Sequence, residues 1–258
     1  MTGFCRVGKG SRMFLRETCP QINHQSGASL IELMLAVALS AFLMLGFIQV
    51  YLSVNKTFSL QQEVVNIQEN ARFSVHFLSE NIREAGYANC DGSPDFTNPD
   101  LAIQGYQTTL PSYLQGKVLK DTDSIVIGRC VLQNGKTQFI QTAFFIGATT
   151  RKNKLGKTIY ALYEMPINSS RRELVSGVEN MAFTYGIAKP DTADIFEYLP
   201  ADKVTDWRAV RGVEIALLLN SEAPVLKTAA SYTFAGKIFP ADRFLHREWS
   251  MYVALREF

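Results

Sequence analysis

Residues 28–52 read ASLIELMLAVALSAFLMLGFIQVYL, 25 residues with Glu32 as their one charge. About 20 apolar residues in a helix cross the hydrocarbon core of a bilayer, so this run is long enough to span. Before it stand Arg6, Lys9, Arg12 and Arg16 against one acid, Glu17. That excess holds the N-terminal flank in the cytoplasm and sends residues 53–258 to the outer side. A secretory signal peptide would have a shorter apolar core and a small-residue cleavage site after it. Gly46-Phe47-Ile48-Gln49-Val50-Tyr51-Leu52 offers none. A plain uncleaved anchor accounts for everything in the run except Glu32. An isolated carboxylate costs about 2.5–3.5 kcal/mol at a membrane helix centre and less towards an end. Glu32 is therefore either solvated at headgroup level or paired.

The apolar period continues beyond the run through Leu60, Val64, Ile67, Ala71, Val75, Leu78, Ile82 and Ala85, in steps of three and four. That spacing predicts one helix over 28–85, stopped by Gly86 and about 87 Å long at 1.5 Å per residue. Its first part is apolar all round. Its second part is amphipathic, with Gln61, Gln62, Glu63, Asn66, Gln68, Glu69 and Arg72 on the polar side, and needs a surface to pack on. The i, i+4 pair Phe73 and Phe77 lies on a neighbouring face and is expected against a sheet. His76 has no ligating neighbour and reads as structural or exposed.

From Tyr87 the pattern becomes β-rich. The run 91–100 has loop composition. Strands are expected at 124–129, 138–146, 158–164, 181–185, 210–219 and 249–255, with a hairpin at Asn134-Gly135 and loops at 101–120 and 189–206. The expected fold class is α+β: a long N-terminal helix packed on a mainly antiparallel sheet.

Composition narrows the function. The charge is +2 overall, with 26 basic and 24 acidic residues, so no global basic footprint marks a nucleic-acid binder. There is no CxxC, GxGxxG, P-loop, GxSxG or HExxH, and the chain does not read as an enzyme. No cofactor or metal is expected. Asp91, Ser93 and Asp95 invite a Ca²⁺ reading but lack the glycine and glutamate of an EF-hand loop. Asp121 and Asp123 precede a strand, a common turn pattern. Arg151-Lys152-Asn153-Lys154 and Arg171-Arg172 read as solvated basic faces.

Gly27-Ala28-Ser29-Leu30-Ile31-Glu32-Leu33-Met34 resembles the leader junction of type IV prepilins. The resemblance implies cleavage by a prepilin peptidase between Gly27 and Ala28, N-methylation of Ala28, and a subunit-assembly role for Glu32 towards the new α-amine. The usual first mature residue is Phe, and here it is Ala28. The leader, 1–27, is long unless Met13 is the start. Gln68-Glu69-Asn70-Ala71-Arg72-Phe73, Ile82-Arg83-Glu84-Ala85-Gly86-Tyr87-Ala88-Asn89-Cys90 and Gly177-Val178-Glu179-Asn180-Met181 are similar to PilW-type minor pilins. So are Tyr185-Gly186, the strand at 210–219 and the ending Val253-Ala254-Leu255-Arg256.

The implied organisation is a cleaved leader (1–27), a transmembrane and assembly helix (28–86) and a periplasmic or extracellular β-rich pilin domain (87–258). The implied function is a minor pilin in the tip or priming complex of a type IV pilus. Its partners would be other minor pilins, the major pilin, the prepilin peptidase, the inner-membrane assembly machinery and a tip adhesin. A type II secretion pseudopilin, a membrane-anchored binding protein or adhesin, and an anchored hydrolase are the alternatives. Cys5 and Cys19 fall in the leader. Cys90 and Cys130 fall in the outer domain, where an oxidising periplasm favours a bridge. Closing about 40 residues would contribute about 3–4 kcal/mol. Two separate buried thiols are the alternative.

Overall fold

The computed structural model describes residues 29–86, 102–133, 135–153, 155–189 and 194–255. The chain divides into two compact units, Met1–Leu52 and Ser53–Phe258. The helix α1 (Leu30–Arg83) supplies residues to both. In the first unit its side chains are exposed throughout.

In the second unit α1 buries Ile67, Ala71, Leu78 and Ile82, with Ala85 just beyond its end, as the period requires. Gly86 takes φ +74° and stops the helix, which ends two residues short of the expected 85. Leu60, Val64 and Val75 of the stripe are only half-buried, and the polar residues Ser74, Ser79 and Asn81 are buried beside it. The Ser74 hydroxyl donates to the Asn70 carbonyl of its own helix and needs no water. Phe77 meets Phe144 edge-on at 6.1 Å, while Phe73 stacks on Phe77 and stays half exposed. His76 is exposed.

Among the described residues there are two larger sheets and a ribbon. The first sheet runs β1 (Ile103–Tyr106), β2 (Ser124–Gln133), β3 (Lys136–Lys152), β4 (Thr158–Pro166), β5 (Arg172–Ser176) in that order, antiparallel throughout. Gln133 pairs with Lys136 and Gly135 takes φ +75°, as a two-residue hairpin loop between β2 and β3 requires, while Asn134 lies outside the described residues. The second sheet is formed by β6 (Val178–Ala188), β7 (Ile195–Leu199), β8 (Val210–Asn220) and β11 (His246–Ala254), in the order β11-β8-β6-β7. The ribbon is β9 (Ala230–Phe234) with β10 (Lys237–Asp242).

Gly177 links the two larger sheets. Its N–H donates to Tyr160 on β4 and its carbonyl accepts from Asn220 at the end of β8. Its φ of +79° suits glycine. One core cluster then holds the α1 side chains together with Ile125, Phe144 and Leu162 of the first sheet and Met181, Ile215 and Val253 of the second. Each large α1 side chain buried there contributes about 1.5–3 kcal/mol.

Five strands depart from expectation, among them β5, whose five residues fall between two expected strands. β1 and β7 lie inside segments expected to be loops. β1 is four residues long and contains Gly105, so it shows too few alternating positions to register. β7 has a bulge at Phe196 that breaks its alternation. β9 and β10 were not expected. β10 contains Pro240, which sits where the ribbon's register shifts, between Phe239 and Asp242, and so costs no ladder bond.

Candidate assembly surface

The Ser29 carbonyl accepts from the amides of Glu32 (2.9 Å) and Leu33 (3.1 Å), which sets the first turn of α1. Glu32 stands in that turn, where the positive end of the helix dipole favours an acid. From Leu30 to Leu52 the large apolar side chains are more than half exposed, Leu30 at 78% and Phe42 at 75%. Nothing in this unit covers them. Surface of this size is stable only against lipid or other apolar helices. Ser40 interrupts the run, and its hydroxyl donates to the Ala36 carbonyl at 2.6 Å, which hides its polarity within the helix. The helix is long and apolar enough to cross a membrane by length and composition. Gly27 and Ala28 lie outside the described residues.

In the second unit, polar pins fix α1 to the sheets. Asn70 donates to the Ser176 carbonyl, and Glu63 accepts from the Glu222 amide at 3.0 Å. Between these pins lies a cleft of about 240 Å³ lined by Glu63, Glu69, Glu222 and Asn220 among others.

The other singled-out residues do structural work. Cys130, on β2, is buried and disulfide-bonded, while Cys90 lies outside the described residues. Asp123 is buried and accepts from the Phe183 amide at 2.9 Å, tying the entry of β2 to β6. Burial raises its carboxyl pKa, an effect the Phe183 hydrogen bond only partly offsets. Asp121 is at positive φ and pairs with Lys237. The basic clusters are engaged rather than merely solvated: Arg151 pairs with Glu173, Arg172 with Glu164, and Arg171 lies over the Tyr163 ring at 4.5 Å. Asp91, Ser93 and Asp95 lie outside the described residues. Among the described residues no group of three His, Cys, Asp or Glu could hold a metal ion.

A cluster with no local sequence signal is the one around His246. Its Nε2 is 2.9 Å from Asp242 Oδ1 and its Nδ1 is 3.0 Å from Glu179 Oε2. The i, i+4 spacing of Asp242 and His246 is the only trace of it in the chain.

No curated protein matches the chain significantly. Among solved structures it is similar to a type IV-like pilin from Thermus thermophilus, at 12% identity, with 73% of this chain and 94% of that one covered and a TM-score of 0.40. Residues 143–257, from within β3 to the last but one residue, are similar to the PilW family model, described as type IV pilus-assembly protein W.

Proposed function

We propose that this chain is a minor pilin of a type IV pilus, a structural subunit of the tip or priming complex. The observation that carries the reading is a PilW-type match joined to an N-terminal helix whose apolar side chains lie open and whose one acid is Glu32. The prepilin peptidase cuts between Gly27 and Ala28 and methylates Ala28. The inner membrane holds the helix, with the N-terminus cytoplasmic and the β-rich domain periplasmic, until the subunit enters the pilus. Other minor pilins and the major pilin then bury their helices against this one. Glu32 neutralises the α-amine of Ala28, its own or a neighbour's, because an unpaired carboxylate in a helix bundle is costly. Cys130 bonds to Cys90.

The test compares wild type with Glu32→Ala by intact mass and by recovery in sheared pili. Both proteins should begin at Ala28 plus one methyl group and gain two hydrogens on reduction. The variant should stay in the membrane and be depleted from pili. Normal incorporation of the variant would refute the Glu32 role. A retained leader in cells with an active prepilin peptidase would refute the pilin reading, and a secretion defect with intact pili would place the chain in a type II secretion pseudopilus instead.

A further inference from the structure

The β9–β10 ribbon pairs only with itself among the described residues, so its position depends on side chains. Besides the buried Phe234 of β9 and the Lys237–Asp121 pair, its polar and ring contacts converge on His246, at the start of β11. The His246 side chain is 6% exposed. Its Nε2 meets Asp242 Oδ1, at the end of β10. Its Nδ1 meets Glu179 Oε2 as an ion pair, and neither of those two buried atoms has a hydrogen-bond partner. The Tyr232 ring, on β9, stacks on the imidazole with centroids 3.7 Å apart. Lys157 lies 3.7 Å from the other Asp242 oxygen and faces the Phe244 ring. On β8 the residue opposite His246 is Asn220, which does not titrate.

Both carboxylates are delivered by irregularities in the ladders. Val178 pairs with Leu219 and Asn180 with Leu218, so Glu179 is the extra residue of a bulge in β6. Asp242 follows the register shift in β10. Bulges re-aim a side chain, and here two of them bring acids to the two nitrogens of one ring.

A neutral imidazole has one N–H and one lone pair, so between two carboxylates it would turn the lone pair towards an oxygen. Only the imidazolium suits both neighbours. It also suits the Tyr232 face, where a cation is attracted to the ring quadrupole. Burial works against the charge, but the neighbouring carboxylates Glu179 and Asp242 outweigh it, and the His246 pKa is raised.

We propose that Glu179, His246 and Asp242 form a proton-controlled catch that holds the β9–β10 ribbon while His246 is an imidazolium and frees it when that proton is lost. A raised folded-state pKa fixes the sign. The catch is complete below the unfolded value of about 6.5 and is lost as pH rises through the folded value. The exposed face that moves with the ribbon carries Ile238, 80% exposed next to the Gly236 turn.

The experiment uses the full chain in detergent micelles. Imidazole NMR follows the three histidines of the chain, His24, His76 and His246. Hydrogen exchange, corrected for intrinsic rate, follows 230–242 from pH 6 to 9.5. His246 should titrate above about 6.5. Ribbon exchange should rise by up to about tenfold per pH unit between about 6.5 and the His246 midpoint and level off above it. Asp242→Asn, which keeps an acceptor but removes a charge, should lower that midpoint and the levelling-off together. His246→Gln should abolish the pH dependence of the ribbon while β8 stays protected. A His246 midpoint at or below 6.5, or a ribbon whose protection is flat while His246 titrates, overturns the proposal.

Discussion

Two glycines face the same clash on paper and should answer a methyl group differently. At Gly105, on β1, an added Cβ would stand 2.1 Å from the Tyr185 hydroxyl oxygen, 2.5 Å from Cζ and 2.8 Å from Cε2. At Gly212, on β8, the corresponding distances to Tyr252 are 1.9, 2.4 and 2.8 Å. The rings differ in freedom. Tyr185 is fully buried, with Trp207 edge-on at 4.9 Å, and has nowhere to turn. Tyr252 is 43% exposed and can swing into solvent. Gly105→Ala must therefore displace β1 or the core, at about 1–3 kcal/mol or more. Gly212→Ala gives up part of one ring's burial and recovers about 0.4–1 kcal/mol from the stiffer unfolded chain, for a net change within about 1 kcal/mol. Urea denaturation of the full chain in detergent reads the difference. With a slope of about 1–3 kcal/mol/M, a 2 kcal/mol loss moves the midpoint by about 1 M. Repeating Gly105→Ala in a Tyr185→Leu background removes all three clashing atoms, so the glycine substitution should then cost little. Equal midpoint shifts for the two glycines, or a Gly105→Ala cost that persists without Tyr185, would refute the reasoning.

Two further outcomes follow from the same core. Leu78→Ala removes a fully buried side chain of α1 and should cost about 2–5 kcal/mol, whereas Leu45→Ala, at a position 61% exposed, should leave thermal unfolding of the β-rich unit within about 0.5 kcal/mol of wild type. Asp123→Asn should stabilise at neutral pH, because burial raises the Asp123 pKa and the folded state therefore resists losing that proton. The wild-type penalty is absent below about pH 3.9 and grows as pH rises towards the folded value, while the amide oxygen still accepts from Phe183. Thermal midpoints at pH 4 and pH 7 check it, and a variant that loses ground to wild type as pH rises would contradict it.

What could be read from the chain before its fold was whatever is written in neighbouring residues. The apolar period of α1 from Leu60 to Ala85 repeats every three or four positions, so its buried face was legible. Its polar neighbours Ser74, Ser79 and Asn81 are buried too, because each donates to a carbonyl of its own helix. The hairpin between β2 and β3 was legible because Gly135 supplies the positive φ that the turn needs. The β9–β10 ribbon was not, because Pro240 argues against a strand unless a register shift excuses it, and that shift is a property of the pairing.

The charged cluster was hidden for a stronger reason. Glu179 and His246 are neighbours only because β6 and β11 flank β8, with His246 opposite Asn220 and a bulge turning Glu179 towards it. A shift of one residue in either ladder would send one of the two to the other face. A local pattern of acids and a histidine would not have distinguished this arrangement from solvated surface, since the charge on His246 is demanded by two oxygens that reach it from separate strands. The cluster around His246 is thus set by strand register, whereas the exposed apolar face of α1 is set by composition. The two can be tested independently: Glu32 variants should leave the His246 titration unchanged, and Asp242→Asn should leave leader processing unchanged.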